Sequence, residues 1–100
     1  MKPIAADLPH RPPAAPTPET EQRRDALRAV AVNFEAMFLT QVLDLAGVGK
    51  SPEGFDGGHG EEAFRGHLLA EQGRLMAESG GIGLAEHVFQ ALLKREGLDA

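Results

Sequence analysis

The fold of this 100-residue chain is decided by the stretch Ser79-Gly80-Gly81-Ile82-Gly83-Leu84-Ala85-Glu86. Its three glycines interrupt a helical pattern, and a glycine that follows a helix can adopt the left-handed conformation that closes the last turn. A new apolar pattern begins within a few residues. The stretch therefore predicts a tight corner between two helices, in which the corner residues are Gly80, Gly81 and Gly83.

Three helices account for most of the chain, and the corner joins the second to the third. Apolar side chains recur in each helix at intervals of three and four residues, which is the spacing of one helical face. No alternating strand pattern is present. The sequence therefore predicts an all-α fold, a small three-helix bundle within residues 19–97. The helices are expected at about 19–46, 61–78 and 84–96.

The N-terminal segment, residues 1–18, holds six of the seven prolines. Because each proline lacks a backbone donor and restrains its neighbour, this segment is predicted to be a disordered Pro-rich tail. Its end also supplies a helix start, since Thr17 is a hydroxyl N-cap and Pro18 suits the first helical position. Thr20 with Glu21 is a second possible start. A glycine-rich loop, residues 47–60, separates the first two helices, and its role is left open.

The composition of the chain excludes several classes of function. The formal net charge of −5 argues against a nucleic-acid partner, which requires a basic surface. Without cysteine the chain has neither disulfides nor a thiol nucleophile. No apolar run approaches the roughly 18 residues of a membrane span. No apolar segment typical of a cleaved signal peptide follows Lys2.

No group of residues has the spacing of a catalytic or metal site. His59, Glu61 and Glu62 lie close in sequence, but a metal ion needs three or four converging ligands, so we expect neither a metal nor a cofactor. Glu35 lacks the second acid that glycoside hydrolysis requires. It is predicted to be a solvated or ion-paired helix residue. We therefore expect the chain not to be an enzyme.

The apolar surface of the helices is the remaining candidate for function. A small helical domain that exposes an apolar strip usually binds another helix or protein. The expected inner face of the second helix holds Phe64, His67, Leu68, Leu75 and Met76, with Leu69 beside them. The candidates for core packing or partner contact, two roles that the sequence does not separate, are Phe34, Met37, Phe38, Phe64, Leu84, Val88 and Phe89.

Three motifs resemble those of the flagellar rod-binding domain family. Residues 33–43 (NFEAMFLTQVL) are similar to its F-E-A-L/M-F-L-x-Q-x-L signature. Residues 64–72 (FRGHLLAEQ) are similar to its F-x-x-x-L-x-x-Q segment, and residues 75–85 (LMAESGGIGLA) to its L-A-x-x-G-G-I-G-L-A segment. The motifs occur in the family's order, and the resemblance covers roughly residues 25–95.

The resemblance implies a bacterial flagellar assembly factor that binds rod proteins as a scaffold, chaperone or cap. In many members the domain precedes a peptidoglycan hydrolase domain. This chain stops at Ala100, so the resemblance implies no catalytic residues here and a separate peptidoglycan hydrolase as a further partner. It also implies the periplasm and flagellar basal body, reached through the flagellar type III apparatus without a cleaved signal peptide. Two alternatives remain open: a cytoplasmic helical adaptor between proteins, and a component of a peptidoglycan hydrolase.

Overall fold

The computed structural model describes residues 17–51 and 58–99. They form three helices, α1 (Pro18–Leu45), α2 (His59–Glu78) and α3 (Leu84–Arg95), and no strand is present in these two ranges. The prediction of an all-α fold with three helices is confirmed. The predicted Pro-rich tail, apart from its last two residues, and the middle of the glycine-rich loop lie outside the described residues.

The first helix begins at the N-cap that the sequence indicates. The hydroxyl oxygen of Thr17 accepts a hydrogen bond from the backbone N–H of Thr20 at 3.1 Å, and Pro18 occupies the first helical position. A hydroxyl cap satisfies one of the N–H groups that have no partner within the helix, and proline has no N–H to satisfy.

Each helix ends in a turn that contains glycine, in which backbone N–H groups donate hydrogen bonds to carbonyl groups of the last helical turn. At the end of α2 the N–H of Gly80 donates to the carbonyl of Ala77 at 3.2 Å, and the N–H of Gly81 donates to the carbonyl of Met76 at 2.8 Å. This pair of bonds is a Schellman motif. The ends of α1 and α3 show the same pair of bonds. The glycines therefore set where all three helices stop.

The second helix packs antiparallel along the second half of α1. Arg65, near the start of α2, forms an ion pair of 2.7 Å with Asp44, near the end of α1. Farther along α2, Gly73 lies against α1 so closely that a Cβ there would overlap Thr40 Oγ1 and lie 2.7 Å from the carbonyl oxygen of Ala36. The buried α1 and α2 residues along this half are Glu35, Leu39, Leu69, Gly73 and Ala77.

The third helix packs antiparallel along the first half of α1. Arg23 of α1 donates to Glu96 at 2.6 Å, and Arg28 lies 3.9 Å above the centre of the Phe89 ring and forms an ion pair of 3.1 Å with Glu86. α2 and α3 barely touch each other. Each half of α1 is thus covered by one partner helix only. The core between α1 and α3 consists of Leu27, Ala31, Phe89 and Leu93.

The ion pair between Arg23 and Glu96 predicts that the docking of α3 depends on pH. The hydrogen bond from Arg23 is the main cause that holds the pKa of Glu96 below its ordinary value. Because the folded-state pKa is lowered, the pair stabilises the fold above the unfolded-state pKa of about 4.3, and this contribution is lost as pH falls through the folded-state value. Between about pH 7 and about pH 3, the melting temperature should fall further in the wild-type chain than in Glu96→Gln. Circular dichroism measures this, and equal falls in both proteins would contradict the prediction.

Candidate functional site

The corner between α2 and α3 is held by a buried carboxylate of α1. Glu35 is fully buried, with 0 % of its surface exposed. Its Oε2 accepts a hydrogen bond from the backbone N–H of Ile82 at 2.6 Å, and its Oε1 accepts one from the N–H of Ala85 at 2.7 Å. The prediction that Glu35 is solvated or ion-paired is therefore wrong, because its partners are backbone N–H groups of the corner.

Glu35 supplies a cap that α3 lacks locally. The residue before α3 is Gly83, which has no side chain to offer to the first turn. The first N–H groups of a helix have no partner within it, and negative charge is favourable at this end. Sequence spacing gives no signal of this cap, since Glu35 lies 47 and 50 residues before the two N–H groups that it binds.

Gly81 occupies a position where the Glu35 carboxylate leaves no room for a side chain. A Cβ at Gly81 would lie 2.6 Å from Glu35 Cδ and closer still to Oε2, and its φ is +49°. Gly80 and Gly83 also have positive φ values, +106° and +86°, but a Cβ on either would meet no atom within 4 Å. Of the predicted corner residues, packing therefore requires glycine at Gly81, whereas backbone conformation favours it at the other two.

The outer faces of α1 and α2 carry large apolar side chains that are exposed. Contiguous apolar exposure of this kind marks interaction sites on small proteins. The exposed residues of α1, which we call the α1 surface, are Val30, Phe34, Met37, Phe38, Val42 and Leu45. Those of α2, which we call the α2 surface, are Phe64, Leu68, Leu75 and Met76.

The structure divides the candidate contact residues into an exposed group and a core group. The exposed residues lie on the α1 and α2 surfaces and are Phe34, Met37, Phe38 and Phe64. In α3, Phe89 is buried against α1, whereas Leu84 and Val88 are half-buried. Only the first group lies where a partner can reach it without displacing a helix.

The predicted inner face of α2 is wrong. Four of the five residues expected there form the exposed α2 surface, and the fifth, His67, is exposed as well. The side that faces α1 carries Leu69, which was expected beside that face, together with Gly73 and Ala77. The physical reason is the close approach of the two helices at Gly73, where only a residue without a side chain fits. Gly73 and Ala77 therefore lie against α1 beside Leu69, and the apolar side chains of the α2 surface point away from it.

An open cleft of about 380 Å³, which we call the corner cleft, lies where α2 meets the corner. Its wall includes Ile82, which exposes 67 % of its surface although its backbone is held by Glu35. The cleft suits an apolar side chain of a partner, because its lining is mainly aliphatic. The lining residues are Leu75, Met76, Ser79, Gly81 and Ile82.

The acids and histidines at the start of α2 do not assemble into a metal site. Within residues 17–51 and 58–99, no group of three or more His, Cys, Asp or Glu side chains is placed to hold a metal ion. The carboxylate of Glu61 instead accepts a hydrogen bond from the Ser51 hydroxyl.

α1 is the one helix in the described ranges that is long and apolar enough to cross a membrane. An 18-residue window within it has a mean hydropathy of 1.3, and 22 % of that window is buried in the fold. This corrects the expectation that no apolar segment of the chain approaches the length of a membrane span. The core helix of a soluble protein has the same length and composition, so these two properties alone do not indicate a membrane span.

Comparison with protein families matches residues 36–90 to a model described as "Rod binding protein". The matched region is more than half of the chain and runs from the middle of α1, through α2 and the corner, into α3. Comparisons with curated proteins and with solved structures found no match.

Proposed function

Because the chain belongs to the rod-binding protein family, we propose that it is a flagellar rod assembly factor that binds rod subunits through the α1 and α2 surfaces. Membership of the family implies a role connected with the flagellar rod. The family match includes α2, the corner and the second half of α1. These are the elements that carry most of the exposed apolar side chains.

The exposure of large apolar side chains on α1 is the observation that carries this proposal. Met37 exposes 69 % of its surface, and Phe34 exposes 53 %. Removing such surface from water on binding is favourable by about 25 cal/mol per Å². Because one helix covers each half of α1, this face stays open in the isolated protein. A rod subunit that covers it would gain this free energy.

The proposed role is that of a scaffold or chaperone that holds rod subunits and performs no chemical step. Glu35, the acid buried at the centre of the fold, already accepts two backbone hydrogen bonds, and its task there is structural. The surfaces that face a partner are apolar, and such surfaces are suited to shield the apolar faces of subunits before they assemble. Opening of the cell wall would then belong to a separate peptidoglycan hydrolase. Loss of turbidity from purified cell wall treated with the protein alone would contradict this division of roles.

The variant Met37→Lys should bind purified rod subunits about tenfold more weakly than the wild-type chain, because it places a charge within the α1 surface. Since Met37 is exposed, the free energy of unfolding should change by no more than about 0.5 kcal/mol. Titration calorimetry against each rod subunit measures the affinity. The control Met37→Leu keeps the apolar area and should bind like the wild type.

Two results of this titration would contradict the proposed function. The first is a wild-type chain that binds none of the rod subunits at micromolar concentrations. The second is equal affinity of the lysine and leucine variants, which would place the contact away from the α1 surface.

A further inference from the structure

One exposed row of α2 has the spacing of a helix-packing seam. Its positions recur at intervals of three and four residues, as do the contact positions of helices that pack in a coiled coil. Every residue of the row is exposed, so no helix of the described chain covers it. The row, which we call the α2 seam, combines apolar and acidic residues: Glu61, Phe64, Leu68, Glu71, Leu75 and Glu78.

The α2 seam leads into the corner cleft, since Leu75 belongs to both. Ile82 forms another part of the cleft wall, and its backbone N–H donates to the buried carboxylate of Glu35. A backbone that is held in place before binding loses little conformational freedom when a partner arrives, so more of the contact energy appears as affinity. The corner cleft is therefore an open, mainly aliphatic depression at the end of a row suited to a helix.

The acids of the α2 seam determine the charge that a partner helix should carry. Glu71 and Glu78 form ion pairs with Arg74 within α2, but their side chains remain 48 % and 49 % exposed. Ion pairs that are open to solvent contribute little, so these carboxylates can also meet cations of a partner. Glu61 adds a third negative charge, and the whole chain has a net charge of −5 that attracts a basic partner.

We propose that the α2 seam binds an amphipathic helix whose apolar stripe is flanked by lysine or arginine, with one apolar side chain seated in the corner cleft. The spacing favours a helix, and the acids favour basic flanks. A second copy of this chain fits poorly, because two α2 seams would bring glutamates against glutamates. The inference deepens the proposed function, on which it rests for the identity of the partner, by naming the class of rod-subunit segment that docks here.

A synthetic helix tests this inference without any rod subunit. The probe is an amphipathic peptide of about 20 residues, the length of α2, with leucine on its apolar stripe and lysine on both flanks. Titrated into the isotope-labelled chain, it should shift the amide resonances of the α2 seam and of Ile82. A matched peptide with glutamate in place of lysine should bind at least about tenfold more weakly.

Substitution of the cleft wall completes the test. Ile82→Ser keeps the backbone hydrogen bond to Glu35 but removes the apolar wall, and it should weaken binding of the lysine peptide about tenfold. Ala91→Ser, on the exposed side of α3, should leave that affinity unchanged. Three results would each overturn the inference: resonance shifts confined to α1, equal affinity for the two peptides, or an unchanged affinity of Ile82→Ser for the lysine peptide.

The two proposals fail in different ways. If rod subunits bind and the lysine peptide does not, the helix-binding seam is refuted and the proposed function stands. If the lysine peptide binds at the α2 seam and no rod subunit binds, the proposed function is refuted while the helix-binding property of the seam is supported.

Discussion

The variant Glu35→Ala should unfold with a free energy about 3 to 5 kcal/mol smaller than that of the wild-type chain. The substitution leaves the N–H groups of Ile82 and Ala85 without their acceptor, and a hydrogen bond to a charged group contributes about 1.5–3 kcal/mol. It also removes a negative charge from the N-terminal end of α3 and leaves a cavity in the fold. Urea denaturation measures the loss.

Two further variants distinguish this effect from a general sensitivity of α1 to substitution. Glu35→Gln keeps one oxygen acceptor but points an amide N–H₂ group at the second donor, so it should lose about 2 kcal/mol. Asp25→Ala removes an exposed acid of the same helix and should change the free energy of unfolding by less than about 0.5 kcal/mol. If Glu35→Ala does not fold, the glutamine variant still tests the claim. A loss below about 1 kcal/mol in the glutamine variant would show that Glu35 does not hold the corner.

Alanine should have opposite effects at two glycines inside α2. Gly73→Ala should destabilise the fold by about 2 kcal/mol, because the new Cβ would overlap Thr40 Oγ1 and approach the backbone oxygen of Ala36, forcing α1 and α2 apart. Gly66→Ala should stabilise the fold by about 0.5–1 kcal/mol, because alanine favours the helix and a Cβ there meets no atom within 4 Å.

Denaturation curves of the two glycine variants form a matched pair, because the residue type, the substitution and the helix are the same. Only the distance to α1 differs between the two positions. A rise in stability for Gly73→Ala equal to that for Gly66→Ala would contradict the close approach of the two helices at this point.

The ends of the helices were predictable from the sequence because their signals are local. Thr17 and Pro18 mark the start of α1, and the glycines after α1, α2 and α3 close turns whose bonds span only a few residues. The corner was predictable for the same reason. The role of Glu35 was not, because it depends on a contact between residues about 50 positions apart. A glutamate in the middle of an apolar helical stretch is the one available signal, and it does not say what the carboxylate meets.

The orientation of α2 could not be predicted from the sequence, because a glycine at a close contact between helices adds nothing to the apolar pattern. Periodicity alone favours the face with the greatest apolar volume, whereas the approach of α2 to α1 is decided by the absence of a side chain at Gly73. On α1 the apolar residues extend around more of the helix than one partner can cover. α3 covers the first half of α1 and α2 covers the second half, and this arrangement leaves Phe34 and Met37 on the surface. No local sequence pattern indicates it.

The most direct test of binding through the α1 and α2 surfaces is the footprint of a bound rod subunit on the isotope-labelled chain, measured by cross-saturation in NMR. We expect saturation to transfer to the α1 and α2 surfaces, including Phe34, Met37 and Leu68, and to leave the core residues Leu27 and Phe89 unaffected. A footprint confined to the exposed side of α3, or no transfer from any rod subunit, would contradict this expectation.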